Sequence, residues 1–280
     1  MIIWLASYPK SGNTWVRIII SSIIYFKKIN LENPFSLINQ IDGYPNMNQF
    51  SDLVKDAYNP DEIIPNWIKS QKLLNLNKNI KILKTHNMLG SFGKHKFTDN
   101  NNTRGVIHIV RDPRNVVLSI KNHFSLPNID KATKFLLDKN KWVVGSKDKG
   151  VIPNFISSWQ MHYISWKSFP KNNLLIKYED LLENPINEIN KIYIFLKKFF
   201  DLNLKSIDLE RIKNLSSFDN LKKKESEGKF KENLEHLETK KKIKFFNLGP
   251  LNNWKADLDQ DLRYKIEREF NKEMKELGYL

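Results

Sequence analysis

The sequence contains no cysteine. That absence excludes disulfides and thiolate metal sites and fits a reducing compartment. Long hydrophobic runs are missing too. The most apolar segment near the start, Trp15 to Phe26, is interrupted by Arg17 and is too short to span a bilayer. No basic leader with a cleavage site is recognisable, so a soluble intracellular, cytoplasmic protein is expected. Acidic residues are outnumbered, 31 against 46 Lys and Arg, which leaves a net charge of +15. A charge of that sign points to nucleic acid, a membrane surface or an acidic small molecule. Much of it lies in lysine runs: Lys197-Lys198, Lys222 to Lys224, and Lys240 to Lys242 with Lys244. A solvated helix face or loop accounts for such runs equally well, and an AT-rich genome would also enrich Lys, Asn and Ile.

What is present is apolar and aromatic content enough for a sizeable core in 280 residues. There is no internal repeat and no linker, so a single domain over residues 1–280 is expected. Ile2 to Ala6 is an apolar run of strand length. Ser7-Tyr8-Pro9 breaks it, Lys10-Ser11-Gly12 turns the chain, and Asn13 or Thr14 can cap a helix running from Trp15 to Tyr25. Strand, small polar loop and helix N-terminus together collect unpaired amides, a helix dipole and an ammonium, which suits a phosphate-like anion. The loop lacks the Gly-Lys-Ser/Thr ending of nucleoside-triphosphate loops, so an ATPase or GTPase is not the first choice.

Further along, a short helix is expected near Ser51 to Tyr58, and another over Pro65 to Leu74 with Trp67, Ile68, Leu73 and Leu74 buried. Ile80 to His86 and Gly105 to Val110 read as strands, the latter apolar on both faces like a central parallel strand. Asp112 with Pro113 predicts a helix start. Asn128 to Gly150 reads as a helix plus a loop. Pro153 to Phe169 has helical spacing, Asn173 to Tyr178 is a strand, and helices follow over Glu179 to Leu182, Ile186 to Phe200 and Asp257 to Leu277. Alternating strands and helices predict an α/β fold with a parallel sheet covered on both faces. Ligands of such sheets lie beyond the carboxyl ends of the strands, which puts Lys10, His86, Arg111 and Tyr178 on one edge. There a neutral imidazole at His86 can take a proton from an alcohol. Lys84 is either a solvated strand end or a second cation for a leaving group. Arg111 and Ser119 can form a second anion site from a guanidinium fork, a hydroxyl and nearby amides. Two phosphate-type sites imply a cofactor with two anionic groups.

The string Ser7-Tyr-Pro-Lys-Ser-Gly-Asn-Thr-Trp15 resembles the 5′-phosphosulfate loop of the sulfotransferase family. Lys84-Thr-His86 is similar to the catalytic-histidine strand of its cytosolic type. Arg111-Asp-Pro-Arg-Asn-Val-Val-Leu-Ser119 resembles the 3′-phosphate motif, and Phe155-Ile-Ser-Ser-Trp-Gln-Met-His162 with Ser165-Trp166 resembles the helix after it. Tyr178-Glu-Asp-Leu181 is similar to the strand end whose Tyr contacts adenine, and Ser216-Ser-Phe218 to an element packing on the nucleotide. The likeness runs in family order to Gly278-Tyr279. It implies a three-layer sandwich around a central parallel sheet, like P-loop nucleotide kinases, and sulfuryl transfer from 3′-phosphoadenosine 5′-phosphosulfate (PAPS) to an acceptor hydroxyl or amine. By that resemblance His86 is the base, and Lys10 neutralises the leaving phosphate. Ser11, Gly12, Asn13 and Thr14 hold the 5′ end, and Trp15 lies against adenine. Arg111 and Ser119 bind the 3′-phosphate, Ser119 also restrains Lys10, and no metal is needed.

The C-terminal loop departs from the family. Gly249, Trp254 and Lys255 fit, but Asn247 stands where an Arg is usual and Asn252 where a Gly is. Lys222 to Lys224 or Lys240 to Lys242 are candidate replacements for that cation. The family's dimerisation signature is not recognisable, so the oligomeric state stays unknown. Two alternatives are a phosphoryl transferase, with Asp112 as the tempting Mg²⁺ ligand, and a nucleic-acid-binding protein, for which no motif is found. The partner expected is a small hydroxyl-bearing acceptor. It would lie against residues 44–58, 88–97 and 141–155, whose aromatics Tyr44, Phe50, Phe92, Phe97 and Trp142 suit a ring-bearing acceptor or a core equally.

Overall fold

In the computed structural model the opening apolar run is a strand, β1 (Ile2–Ser7), with all six residues buried. The structure describes residues 1–28, 33–145, 147, 151–232, 234–235, 242–246, 249 and 252–280. After β1 come α1 (Asn13–Ile24), β2 (Asp42–Gly43), α2 (Pro60–Leu74), β3 (Lys81–Thr85), the short β4 (Ser91–Phe92) and β5 (His95–Lys96), and β6 (Thr103–Val110). Then follow α3 (Pro113–His123), α4 (Ile129–Leu137), β7 (Trp142–Val143), β8 (Asn154–Phe155), α5 (Trp159–Lys167) and β9 (Asn173–Lys177). The chain continues through α6 (Tyr178–Glu183), α7 (Pro185–Lys197), α8 (Ser206–Leu215), α9 (Phe218–Ser226), α10 (Trp254–Asp257), α11 (Gln260–Glu269) and α12 (Asn271–Glu276). Contacts gather it into two units. The first holds Met1–Pro9, Ile41–Val110 and Leu137–Ile176; the second holds Lys10–Gln40, Arg111–Leu136 and Lys177–Leu280.

The first unit is built on a five-stranded sheet in the order β2-β3-β1-β6-β9. Strand β1 runs parallel to both β3 and β6, with Trp4 opposite Leu83 and Val106, and β2 runs parallel to β3. Strand side chains alternate between faces, so Ile2, Trp4 and Ala6 share one of them. They pack there with Ile63 and Trp67 of α2 and Trp166 of α5. The Trp4 indole N–H, which would be costly to bury alone, donates to Thr103 Oγ1 at 2.9 Å. Tyr44, Phe50 and Phe97 are buried in this same core, and Phe92 and Trp142 pack partly buried against it. The structure thus resolves three of these five aromatics as core.

Several sequence expectations shift. No helix forms over residues 51–58; instead a 3₁₀ turn spans Met47–Gln49. Carboxylates take the amides a helix would have used: Glu62 accepts from Lys55 and Asp56, and Asp56 accepts from Tyr58. Helix α2 begins at Pro60 rather than Pro65, because Asn59 caps it by accepting from the Asp61 amide. Trp67 is buried as expected, whereas Leu73 is exposed. The helical spacing over Pro153 to Phe169 overstates α5. Asn154 and Phe155 pair with Val143 and Trp142 as strands, Ser157 is left-handed, and Ser158 caps the helix that starts at Trp159. The closing helix is three pieces, interrupted where Asp259 caps α11 and again at Phe270.

The second unit carries the remaining helices. Ile18 of α1 packs with Phe35, Ile38, Leu221, Phe230 and Phe246, and Trp15, Phe218 and Phe245 lie partly buried against them. Helix α3 starts as predicted, with Asp112 accepting from the Arg114 amide and Pro113 at the first position.

Candidate active site

The residues that follow the strand ends fall into a cradle in the second unit and a histidine group in the first. The cradle starts where the backbone turns out of β1. Lys10 adopts φ +68°, a left-handed conformation uncommon for a residue with a side chain. Gly12, at φ +104°, is the N-cap of α1 and brings no side-chain cap. Asn13 and Thr14, expected as caps, are instead the first two helical residues, both buried. A helix's first amides have no intrahelical carbonyl, and the Gly12 cap has no side chain to meet them, so the dipole end suits an anion. Ser11 Oγ and Trp15 Nε1 are buried with no hydrogen-bond partner among the described residues. Buried polar atoms without partners are what a polar ligand satisfies.

Gly12 is required here by proximity as well as by φ. A Cβ on it would lie 2.8 Å from Tyr178 Cδ2. The Tyr178 ring also meets Trp15 edge-on at 5.5 Å and lies under the Arg111 guanidinium, 4.0 Å from the ring centre. Arg111 is buried and donates to the Lys10 carbonyl at 3.1 Å. Lys10, Gly12, Trp15, Arg111 and Tyr178 are thus one packed group, which holds three of the four residues placed after strand ends, Lys10, Arg111 and Tyr178. Burial pushes the Tyr178 phenol up, so the ring serves as a neutral surface. The Lys10 ammonium is half-buried, 3.3 Å from His123 Nδ1 and 4.3 Å from the centre of the Phe245 ring. Burial first, then the Arg111 charge, pulls Lys10 down to about 8, and Glu225 works against them.

Ser119 is half-buried on α3. The contact expected between it and Lys10 is made by His123, one turn further along. Ser216 is buried and donates back to the Ile212 carbonyl at 2.8 Å, closing α8. Phe218 begins α9 under the cap of Ser217. Gly249, at φ +50°, abuts the Phe218 ring so closely that a Cβ could not fit. Asn247, Lys240 and Lys241 lie outside the described residues, and only the backbone of Lys242 lies within them. Lys222 lies 5.9 Å from the Phe218 ring centre, and Lys224 is paired with Glu227 at 3.1 Å. Asn252 donates to the Asn115 carbonyl at 3.0 Å. Asp112 accepts from Arg114 through both carboxylate oxygens, at 2.7 to 3.2 Å, besides capping α3. Those commitments argue against Asp112 as the Mg²⁺ ligand of a phosphoryl transferase. Among the described residues no group of three or more metal-ligating side chains is found.

In the first unit His86 follows β3 directly. Its Nδ1 lies 2.8 Å from the Ser7 carbonyl. A carbonyl can only accept, so Nδ1 carries the proton, and in the neutral ring Nε2 is the basic nitrogen. Lys84 is half-buried on β3, its carbonyl accepts from the Tyr44 amide at 2.8 Å, and its side chain runs past Gly43. Behind His86 the structure adds residues to which the sequence reading gave no role. His162 is buried on α5, bonded to the His86 backbone, edge-on to Tyr8 at 5.8 Å and 6.0 Å from His108. His108 lies on β6 with both ring nitrogens buried and without a hydrogen-bond partner among the described residues. Burial lowers His162 well below the usual range and His108 to about 3. His108 interrupts an apolar strand, a signal that was visible; His123, Phe245 and Glu225 carried none.

Comparison with known proteins bears on the whole chain. A family model described as the sulfotransferase domain matches residues 2–278. Sulfotransferase 1 family member D1 of Mus musculus is 26% identical over 286 residues, covering 98% of this chain and 83% of that protein. Cytosolic sulfotransferase 10 of Arabidopsis thaliana is 22% identical, covering 98% and 78%. Retinol dehydratase, solved in complex with androsterone and inactive cofactor PAP, superposes with a TM-score of 0.60 at 16% identity, covering 98% of this chain and 80% of that one. That likeness supports the α/β fold with a central parallel sheet expected from the sequence. With one family model running almost end to end, the chain belongs to the sulfotransferase family.

Proposed function

We propose that this protein transfers the sulfuryl group of PAPS to a hydroxyl or amine on a small acceptor, and that residues 1–280 work as one sulfotransferase domain. The observation that carries the reading is the cradle around Lys10: an uncapped helix start, buried unpartnered Ser11 Oγ and Trp15 Nε1, and the Arg111–Tyr178 stack. These residues fit a nucleotide with anionic groups. Bound there, PAPS supplies the sulfuryl group and a phosphate leaving group. The first-turn amides and Ser11 to Thr14 hold the 5′ end, while Trp15, Tyr178 and Phe218 offer aromatic surface for adenine. Arg111 and Ser119 take the 3′-phosphate, and Lys222 to Lys224 or Lys240 to Lys242 stand in for the Arg missing at Asn247. His86 Nε2 accepts the acceptor proton, with its tautomer held by the Ser7 carbonyl. Lys10 neutralises charge growing on the leaving oxygen, and a stabilised charge in a half-buried setting lowers the barrier more than it would in water. A cytoplasmic location is supported by the cysteine-free composition and the relative named as cytosolic.

Thermal stabilisation by ligand tests the donor. Adenosine 3′,5′-bisphosphate (PAP) should raise Tm by several degrees at concentrations about 100-fold above its Kd, as binding to the folded state alone requires. ATP and a single-stranded oligonucleotide should raise it far less. Equal or greater stabilisation by ATP with Mg²⁺ would favour the phosphoryl-transfer reading, and by oligonucleotide the nucleic-acid reading.

A further inference from the structure

Lys10 is held by more than its own loop. Among the described residues no carboxylate forms an ion pair with its ammonium. The groups at hand are His123 Nδ1 at 3.3 Å and the face of Phe245 at 4.3 Å. An ammonium has three donors and no acceptor, so in this contact the imidazole accepts through Nδ1 and carries its own proton on Nε2. His123 is the last residue of α3, on the turn after Ser119. Phe245 is held from the other side: its amide and that of Phe246 donate to Glu225 at 2.7 and 3.0 Å. The charged and titratable groups facing Lys10 are therefore Arg111, whose guanidinium bonds its carbonyl, Glu225 behind Phe245, and His123 itself.

We propose that His123, with Phe245, is the positioning residue for Lys10: the neutral imidazole accepts a hydrogen bond from the ammonium and sets where that cation stands for the leaving group. The inference rests on the reading that Lys10 neutralises the leaving phosphate. The contact works only while His123 is neutral. A protonated ring would turn Nδ1 into a donor and place two cations 3.3 Å apart, which releases Lys10 from its seat. His123 acts through Lys10, so its effect belongs to kcat rather than to nucleotide affinity.

The test compares wild type with His123→Ala, which removes the acceptor, and His123→Asn, which keeps an amide oxygen near the place of Nδ1 and does not titrate. Steady-state kcat at pH 7.5 and the Kd for PAP are measured on each. The expected result is a loss on the order of tenfold in kcat for the alanine variant at pH 7.5, the worth of one hydrogen bond to a charged group. PAP affinity should stay within about twofold, and the asparagine variant should recover most of kcat. His123→Gln, whose amide oxygen falls nearer the place of Nε2, should lose kcat as the alanine variant does. That contrast between asparagine and glutamine stands on its own if the alanine variant does not fold. An asparagine variant no better than glutamine or alanine, or a kcat within twofold of wild type for His123→Ala, would overturn the proposal. Lys10→Met separates the two layers of the argument. If it loses turnover while His123→Ala keeps it, only the role of His123 falls. If it keeps turnover, the reading of Lys10 falls, and His123 with it.

Discussion

At the residue scale the account turns on which nitrogen and which ammonium face the substrates. His86 has its Nδ1 hydrogen directed at the Ser7 carbonyl, so in the neutral ring its other nitrogen is the basic one, the one proposed as base. His86→Ala should lower kcat by at least 10²-fold, the ordinary contribution of a positioned general base, and leave the Kd for PAP within about threefold. Parallel turnover and titration calorimetry check this, and near-normal turnover would remove His86 as the base. Lys10 shows how far single residues were legible. Its place after an apolar strand and before a helix marked it as an anion ligand, and the structure puts Arg111 and Tyr178 around it. Its partner was not legible. Ser119 sits in a motif and was expected to hold it, whereas His123 does, because helical periodicity places both residues on nearby turns and sequence alone cannot say how far a lysine reaches.

At the element scale the helix starts decide the second unit. Asp112 was readable as a cap because Asp before Pro is a local signal, complete within two residues. Its wider commitment was not readable, since the partners lie far along the chain. Arg114 bonds Asp112, Glu267 and the Tyr279 carbonyl at 2.5 to 2.7 Å and stacks on Trp254 at 3.9 Å. Asp112→Ala therefore removes a cap and breaks a buried pair, and should destabilise by about 3 kcal/mol. Asp112→Asn keeps the capping oxygen and should cost less than the alanine change. Urea unfolding of both variants measures the difference. The start of α1 follows a different rule. The residues able to cap it are inside the helix, and glycine holds the cap position, which leaves the amides for a ligand. The start of helix α5 was placed too early because Phe155 and Ile156 continue its spacing by coincidence. The cross-strand pairing of Asn154 and Phe155 is a contact between distant residues, invisible to a periodicity.

At the scale of the whole molecule, strands were read better than helices. The parallel order around β1 follows from short apolar runs that are buried on every residue, such as Ile2 to Ser7. The division of contacts into two units was not foreseen, since each unit is assembled from three separated stretches and no linker marks the joins. Acid sensitivity is a global consequence of one buried group in the first unit. His108 stays neutral down to about pH 3 in the fold, while in the unfolded chain it protonates at about 6.5. The unfolded state therefore binds the extra proton between those values, and stability falls as pH drops below 6.5, by about 1.4 kcal/mol per pH unit. His162, lowered in the same direction by burial, adds to the trend. Between pH 7 and pH 5, His108→Phe should lose about 2 kcal/mol less stability than wild type. Unfolding midpoints at the two pH values test that difference, and identical losses would show that His108 does not set the acid limit.

The central claim is sulfuryl transfer from PAPS, and its most direct measurement is transfer of label from ³⁵S-PAPS to acceptors. A panel of phenols, sterols, aliphatic alcohols, amines and sugars is offered to wild type and to Lys10→Met. The account predicts acceptor-dependent label in an organic sulfate for wild type, with no added metal, and a loss of at least 10²-fold for Lys10→Met, the scale of one preorganised charge at a leaving group. Transfer that is undiminished in Lys10→Met, or a phosphate rather than a sulfate moved from an adenine nucleotide, would contradict it.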